Sequence, residues 1–582
     1  MAECLALERI NRLLDEGSFV EVGALVSART TDFTVNDQSA PSDGVITGYG
    51  QIEGNPVYVY SQNRDVLNGT MGEMHAKKIA KLYDMADKAA APVIGLLDCG
   101  GFRLQESVDA LDSFGCVLAK QAEYADSVLQ ISAVMGNCAG GMTLIPAMSD
   151  FAFMTKDAQM YVNAPHTIQD NKKLSREFDS AKYQAAVSGQ AEVLESEEAV
   201  LTKIREMVVM LIDEEYGRCG EDDLNRYISD KTCAMKDARA LLAECADDKF
   251  LEIRPDYAPE MVTGFLTLNG ILVGAVANAD ALYDEKGEKT ADLADGLTVD
   301  GCEKAAAFVA FCNDCEIPLL TVTAADGFAA VEQTEKGLPQ AIAKLVKSYH
   351  DGGFNSKVNL IMGDTYGSAY VAMGARCISD ADMVFAWDDA KVGMMEAEKA
   401  ANILFAAEGE KATEKQAAAY EGKQNAVTSA AARGSVDAVI APAQTRKHLI
   451  MAFFHAVKER KIVKMRKNIK GIAAGSLGLL ALQLPGMTVF AQAADRKARL
   501  ANALQNTVLG MGTVFVMLIA IALIIYCFKI IPVIQKNLPK KQNRQQKHQR
   551  QHQLLQLLYR KRMIWNWSLL SQPRSQQVRM YR

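Results

Sequence analysis

Proline and cysteine are both scarce in this chain, at 14 and 12 of 582 residues. Few prolines, with 49% hydrophobic and 23% charged residues, indicate a globular composition, and the length suggests two large domains or more. So little cysteine excludes a disulfide scaffold and points to a reducing compartment. The single close pair, Cys312-x-x-Cys315, has no second pair to complete a zinc site; beside Phe308 and Phe311 it reads as one turn of a buried helix. No metal site is expected. No secretory leader is expected, since MAECLALERINRLL reads as the start of an amphipathic charged helix. Acidic residues are missing altogether from 533–582, which holds twelve Lys or Arg; with a total charge of −8, residues 1–532 therefore carry about −20. A body this acidic argues against nucleic-acid binding.

Long apolar runs are absent until the C-terminal region. There, Gly471 to Ala494 is uncharged after KMRKNIK, and Asn502 to Phe528 is uncharged and contains VFVMLIAIALIIYCF. The second run is long enough to cross a hydrocarbon core at about 20 residues per span, and its basic flank fits a cytoplasmic side. A buried core helix is the alternative.

What the sequence does contain is a repeat. GYGQIEGNPVYVYS at 48–61 aligns with GFLTLNGILVGAVAN at 264–278, each a hairpin with a Gly-containing turn. HAKKIAKLYDMADKAAAPVIGLLDCGGF at 75–102 aligns with CEKAAAFVAFCNDCEIPLLTVTAADGF at 302–328: an amphipathic helix, a proline, a buried strand and a glycine loop. VMGNCAGG at 134–141 then matches LIMGDTYGSA at 360–369, and an aspartate before an apolar strand follows in SDFAFM and DADMVFAW. Strands alternating with helices predict parallel sheets packed by helices, one fold present twice. Between the copies, roughly 167–245, SEEAVLTKIREMVVMLIDEEY has the spacing of a surface helix.

Each copy carries two glycine-rich strand-to-loop junctions: Gly100-Gly101-Phe102 with Gly140-Gly141, and Gly327-Phe328 with Gly367-Ser368-Ala369. Glycine there lets the backbone approach a ligand and offer free N–H groups at a helix start. Two such junctions on neighbouring strands suit an oxyanion. Neither matches GxxxxGK[ST] or GxGxxG, so a nucleotide cradle has no support. Small residues also permit tight helix–strand packing, which is the structural alternative.

Residues 5–455, through GTMGEMHAKKIAKLYDMADKAAAPVIGLLDCGGFRLQESVDAL and ISAVMGNCAGGMTLIPAMSDFAFM, resemble the biotin-dependent acyl-CoA carboxyltransferases, whose usual text is close to G-G-A-R-I-Q-E and G-P-C-A-G-G. The resemblance implies an α/β fold of two tandem crotonase-like superdomains, with the active site between the N-terminal domain of one subunit and the C-terminal domain of another in a homo-oligomer. It implies carboxylate transfer between biotin and the α-carbon of a coenzyme A thioester, through a thioester enolate and a biotin ureido anion able to accept the proton itself. By motif, Gly101, Phe102, Gly140 and Gly141 would hold the thioester oxygen through backbone N–H groups. Gly327, Phe328, Gly367, Ser368 and Ala369 would bind the biotin carbonyl. The second copy departs more from the pattern: P-G-F-x-P-G is reduced to Asp326-Gly327-Phe328, and V-M-G-A-E-G-A becomes Val392-Gly393-Met394-Met395-Glu396-Ala397-Glu398. Arg103 and Glu106 are either orienting residues or a surface or intersubunit ion pair. No Met-Lys-Met occurs, so biotin is expected on a separate carrier protein, and the carrier and a biotin carboxylase, if present, on separate chains.

MRKNIKGIAAGSLGLLALQLPGMTVFAQAAD, from Met465, has a basic start, an apolar middle and an A-x-A-like end, a pattern normally found at the beginning of a protein. ALQNTVLGMGTVFVMLIAIALIIYCFKIIP is similar to the small single-span subunit of sodium-pumping, biotin-dependent decarboxylases; a plain tail anchor of two spans is the alternative. MIWNWSLLSQPRSQQ has no amphipathic logic, and suitable codons would also read DDLELVAVITAAIAA in a neighbouring frame. Residues after about 540 are thus expected to be out of frame, with the fusion either genuine or itself a frame error, and the basic low-complexity tail is expected to be disordered. The resulting division is 1–245 for the acyl-CoA-side domain, 246–460 for the biotin-side domain, 465–494 for the signal-like segment, 502–531 for a transmembrane helix and 533–582 for the tail. The implied function is the carboxyltransferase subunit of a sodium-translocating decarboxylase acting on a malonyl-type acyl-CoA, with cytoplasmic catalytic domains anchored to the cell membrane beside other decarboxylase subunits. The alternatives are an acyl-CoA or propionyl-CoA carboxylase beta subunit, a crotonase-like hydratase or isomerase, and a non-catalytic membrane scaffold.

Overall fold

Alternating apolar residues on either side of a glycine turn build an antiparallel hairpin in each copy. In a computed structural model these hairpins are Val45–Ile52 with Asn55–Gln62 in the first half and Met261–Leu268 with Ile271–Asn278 in the second. The structure describes residues 4–456 except 34–39, 169–176, 213–222, 285, 295, 352–354 and 406–411. The described residues fall in one unit, Met1–Met465. The expectations for 465–494, 502–531 and 533–582, including the change of frame, lie outside them. Among the described residues no helix is long and apolar enough to cross a membrane.

The first sheet comprises β1 (Val20–Glu21), β2 (Val45–Ile52), β3 (Asn55–Gln62), β4 (Val93–Cys99), β5 (Gln130–Ala139), β6 (Phe151–Thr155), β7 (Gln159–Tyr161) and β8 (Glu192–Leu194). Its order is β1-β2-β3-β4-β5-β6-β8, with β7 pairing in parallel with the end of β5. The second comprises β9 (Leu251–Glu252), β10 (Met261–Leu268) and β11 (Ile271–Asn278). A separate ribbon, β12 (Ala281–Tyr283) with β13 (Lys289–Asp292), follows before the sheet continues in β14 (Leu319–Thr323) and β15 (Lys357–Ile361). The short strand β16 (Thr365–Tyr366) precedes β17 (Met383–Trp387), pairs with β18 (Val392–Gly393), and is followed by β19 (Ala438–Ile440). The second order, β9-β10-β11-β14-β15-β17-β19, reproduces the first position for position. Both sheets are mixed, not purely parallel: the edge strand and hairpin are antiparallel and every later pairing is parallel.

The matched glycines of the hairpins have a packing cause. A Cβ on Gly48 would strike the Val20 carbonyl oxygen and the Phe19 ring; one on Gly264 would strike the Leu251 carbonyl oxygen and the Phe250 ring. Likewise Gly136 faces Asp98 and Gly363 faces Ala324, its counterpart in the repeat.

Helices follow the same symmetry. After α1 (Leu5–Leu13), α2 (Glu73–Ala89) buries Ala76, Ile79, Leu82, Tyr83 and Ala86 on one face and stops at a left-handed Ala90 before Pro92. It packs on α3 (Val108–Glu123). In the linker, α4 (Glu197–Ile212) is amphipathic as expected, but it buries Val200, Leu201, Ile204, Met207 and Val208 in the core rather than riding on the surface. In the second half α5 (Val299–Asp314), capped by the Thr298 hydroxyl, packs on α6 (Glu332–Ser348). Cys312 is buried on α5, but Cys315 lies just past its end and is exposed, so the pair is not one buried turn. All ten cysteines among the described residues are free thiols. Phe151 of β6 packs edge-on against Phe311 (4.8 Å between centroids) and Phe265 (6.2 Å), so the two halves share one core.

Candidate active site

The glycine junctions sit where the central parallel strands end. After β4, the Gly101 carbonyl accepts from the Met71 N–H (2.9 Å) and the Arg103 N–H donates to the Met71 carbonyl (2.9 Å). After β14, the Gly327 carbonyl accepts from the Leu297 N–H (3.0 Å) and the Ala329 N–H donates to the Leu297 carbonyl (3.0 Å). Both are isolated parallel bridges, centred on Phe102 and Phe328. In that pattern only the flanking residues bond to the partner strand, so the N–H of each phenylalanine faces the opposite edge. Gly101 (φ 115°) and Gly327 (φ 90°) make the bend with backbone angles that favour glycine. The Gly101 N–H lies 3.4 Å from the Cys99 Sγ, so the outward donor of this turn is Phe102. Burial pushes the Cys99 thiol up to about 11.

The second turn is also duplicated. Gly140 and Gly367 both have φ 62° and open a short helix, Gly140–Thr143 and Gly367–Ala372 respectively. The first-turn amides of Gly141, Ser368 and Ala369 therefore have no intrahelical acceptor. The alignment pairs Gly141 with Ser368, and here the copies diverge. The Phe102 ring rests on Gly141, whereas Phe328 is 42% exposed and Ser368 is exposed too.

In the second half the structure brings the expected residues together. Gly327, Phe328, Gly367, Ser368 and Ala369 line one cavity of about 170 Å³, joined by Tyr366, Met394, Met395 and Glu396. All of its lining belongs to the second half. Burial and the nearby Asp364 and Asp326 hold the Tyr366 phenol above its ordinary range, so it stays protonated. A larger cavity of about 320 Å³ adjoins Asp326 and is bounded by Asn278, Ala324 and Gly363. The equivalent positions in the first half are Gln62, Asp98 and Gly136, and there the space is filled by charge.

That charge forms a buried chain behind the first-half loops. Arg103 and Glu106 are 5% and 3% exposed, which overturns the surface-pair alternative. Arg103 Nη1 pairs with Glu106 Oε1 (2.8 Å) and with Asp43, and Nη2 donates to the Thr70 carbonyl (2.7 Å). Glu106 Oε2 accepts the Glu73 N–H at 2.5 Å, tying the loop to the start of α2. Asp43 accepts the His75 N–H (2.7 Å); His75 Nδ1 donates to the Asp43 carbonyl (2.9 Å), and its Nε2 accepts from Gln62 Nε2 (3.2 Å). Gln62 Oε1 accepts the Asp98 N–H (3.0 Å), Asp98 pairs with Arg9 (3.2 Å), and Arg9 pairs with Glu197 of α4 (2.5 Å). Asp98 also accepts the Asn137 N–H (3.2 Å), so the same carboxylate anchors the strand leading to the second glycine turn. Burial, reinforced by Arg103, depresses His75 to about 3, and burial raises Asp43 against the opposing pull of Arg103. Arg9, Asp43, Gln62, His75 and Asp98 were not singled out in the sequence. Their only trace there is that polar residues occupy positions of otherwise apolar elements, as Asp98 does at the end of VIGLLDC.

Each half of this duplicated α/β fold carries a glycine bend and a glycine-opened helix start, the type of main-chain donor that suits an oxyanion. Residues 2–471 match the family model described as the carboxyl transferase domain, and residues 501–555 match that of the oxaloacetate decarboxylase gamma chain, a stretch running past residue 540. The chain belongs to the carboxyl transferase family and is a biotin-dependent acyl-CoA carboxyltransferase of the acyl-CoA carboxylase and decarboxylase group. It is similar to methylmalonyl-CoA decarboxylase subunit alpha of Propionigenium modestum, 34% identical over 487 residues covering 80% of this chain and 92% of that one. It is also similar to the propionyl-CoA carboxylase beta chain of Roseobacter denitrificans, 37% identical over 470 residues covering 77% and 89%. Among solved structures, the transcarboxylase 12S hexamer with methylmalonyl-coenzyme A and methylmalonic acid bound has a TM-score of 0.70 at 32% identity, covering 78% of this chain and 90% of that one.

Proposed function

We propose that this chain is the carboxyltransferase component of a sodium-translocating decarboxylase, moving a carboxylate from a malonyl-type thioester such as methylmalonyl-CoA onto biotin held by a separate carrier protein. What supports this reading is the glycine bend and glycine-opened helix start repeated in both halves, with the gamma-chain likeness of 501–555 favouring the sodium-translocating form. Loss of a carboxylate from the α-carbon leaves an enolate oxygen, and the N–H groups of Phe102 and Gly141 stabilise it, with Gly101 and Gly140 giving the backbone its shape. One such donor is worth roughly 3–4 kcal/mol of barrier. On the other side, the cavity floored by Gly327, Phe328, Gly367, Ser368 and Ala369 fits a ureido ring: amides for its carbonyl oxygen and the Met394 and Met395 side chains as an apolar wall. Biotin supplies there the ring nitrogen that carries the carboxylate. The two clusters meet between subunits, the first half of one against the second half of another; the hexameric transcarboxylase supports such an assembly. The likeness of 501–555 to a decarboxylase gamma chain supports a membrane anchor at 502–531 and partner decarboxylase subunits.

A second reading, the beta subunit of an acyl-CoA carboxylase, is favoured by the 37% identity to a propionyl-CoA carboxylase chain. The test is consumption of malonyl-, methylmalonyl- and glutaconyl-CoA by the full chain with free biotin. The membrane-bound complex is then assayed for sodium-stimulated decarboxylation against ATP-driven carboxylation of propionyl-CoA. Biotin-dependent decarboxylation stimulated by sodium is the expected result. ATP-driven carboxylation without a sodium response would establish the second reading instead.

A further inference from the structure

The two halves differ at one contact that bears on what the first amide pair can hold. A Cβ built on Gly141 would fall 2.9 Å from one carbon of the Phe102 ring and 3.0 Å from the next, so the ring lies in contact with the Gly141 backbone. The same ring packs on Phe114, centroid to centroid at 4.8 Å with planes at 57°, and Phe114 is itself buried. In the second half the equivalent pair is Phe328 and Ser368. Serine brings the Cβ that glycine lacks, the Phe328 ring is 42% exposed, and both residues border an open cavity of about 170 Å³. In the first copy an aromatic ring rests on the turn that in the second copy borders a cavity.

We propose that the Phe102 side chain is the specificity-determining wall of the acyl site, admitting a malonyl-type α-carbon that bears hydrogen or methyl and rejecting longer alkyl substituents. The inference rests on the acyl-CoA reading of the first half. A thioester oxygen held by the Phe102 and Gly141 amides places its α-carbon two bonds away, beside the ring that spans those two residues. The neighbouring Phe114 restrains the ring from swinging clear. An apolar pocket discriminates against one surplus methylene by about 10-fold or more. The N–H belongs to the main chain, so shortening the side chain enlarges the space without deleting the donor.

The experiment is titration calorimetry of the full chain with malonyl-, methylmalonyl- and ethylmalonyl-CoA. Wild-type protein is expected to bind ethylmalonyl-CoA about 10-fold more weakly than methylmalonyl-CoA, and Phe102→Ala to abolish most of that difference. Phe102→Leu, which keeps more of the packing on Phe114, is expected to shift the ratio in the same direction by a smaller factor and serves if the alanine variant does not fold. Equal wild-type affinity for the two thioesters, or an unchanged ratio in a folded variant, overturns the inference. Wild-type protein that binds none of the three thioesters overturns the acyl-CoA reading itself, an outcome distinct from an unchanged ratio.

Discussion

At Gly141 any side chain collides with the Phe102 ring. Gly141→Val therefore forces the turn away from the ring and takes its own amide out of line. Losing one oxyanion donor costs about 3–4 kcal/mol, so turnover is expected to fall by roughly 10²–10³ while the melting curve keeps its cooperativity. His75 gives a second test at this scale. Its ring is fully buried and satisfied as the neutral tautomer, and its pKa falls from 6.5 to about 3. Between those values the unfolded chain binds a proton that the folded chain refuses. Stability is therefore full above pH 6.5 and is lost as the pH falls toward 3, by up to about 1.4 kcal/mol per unit from this group. Urea midpoints at pH 7.5 and 5.5 check it: wild-type protein drops on acidification, and His75→Gln narrows the difference between the two.

Among elements, the hairpins show what a repeat of glycines can and cannot disclose. The alternation in β2–β3 and β10–β11 was legible, as were the glycine turns after β4, β5 and β14. The cause of Gly48 and Gly264 was not, because it lies in a neighbouring edge strand that the alignment does not mention. Ala at either position drives a Cβ into a backbone carbonyl and an aromatic ring. Each substitution is expected to destabilise by about 1–3 kcal/mol in chemical denaturation, leaving biotin-dependent turnover of the folded fraction intact. The buried chain from Arg9 to Glu106 was illegible for a related reason. Arg9 and Asp98 are 89 positions apart and Arg9 and Glu197 are 188 apart, and such contacts leave no periodic pattern in the sequence. Sequence position alone left Arg103 and Glu106 open to a surface role; only their burial identifies them as the clamp between the Phe102 loop and α2. The parallel order of the sheets followed from strand–helix alternation, whereas the antiparallel edge came from the hairpins.

For the molecule as a whole, the duplication yields two sheets of one order sharing a core, with the Phe102 ring packed on Gly141 in one half and Phe328 exposed beside a cavity in the other. Under the proposed function that difference suits two guests, a thioester at one cluster and a cyclic urea at the other. The apolar stretch 502–531 is expected to send the full chain to the membrane fraction, and a chain ending at residue 465 is expected to lose that fractionation while keeping thioester turnover with free biotin. The central claim is that amide clusters from opposite halves of two subunits together form each site. It is tested most directly by co-expressing two inactive chains, Gly141→Val and Gly327→Val, and assaying the mixed oligomer for biotin-dependent consumption of methylmalonyl-CoA. Activity restored in the mixture, and absent from either variant alone, is the result the account predicts; a mixture as inactive as its parents, though assembled, would contradict it.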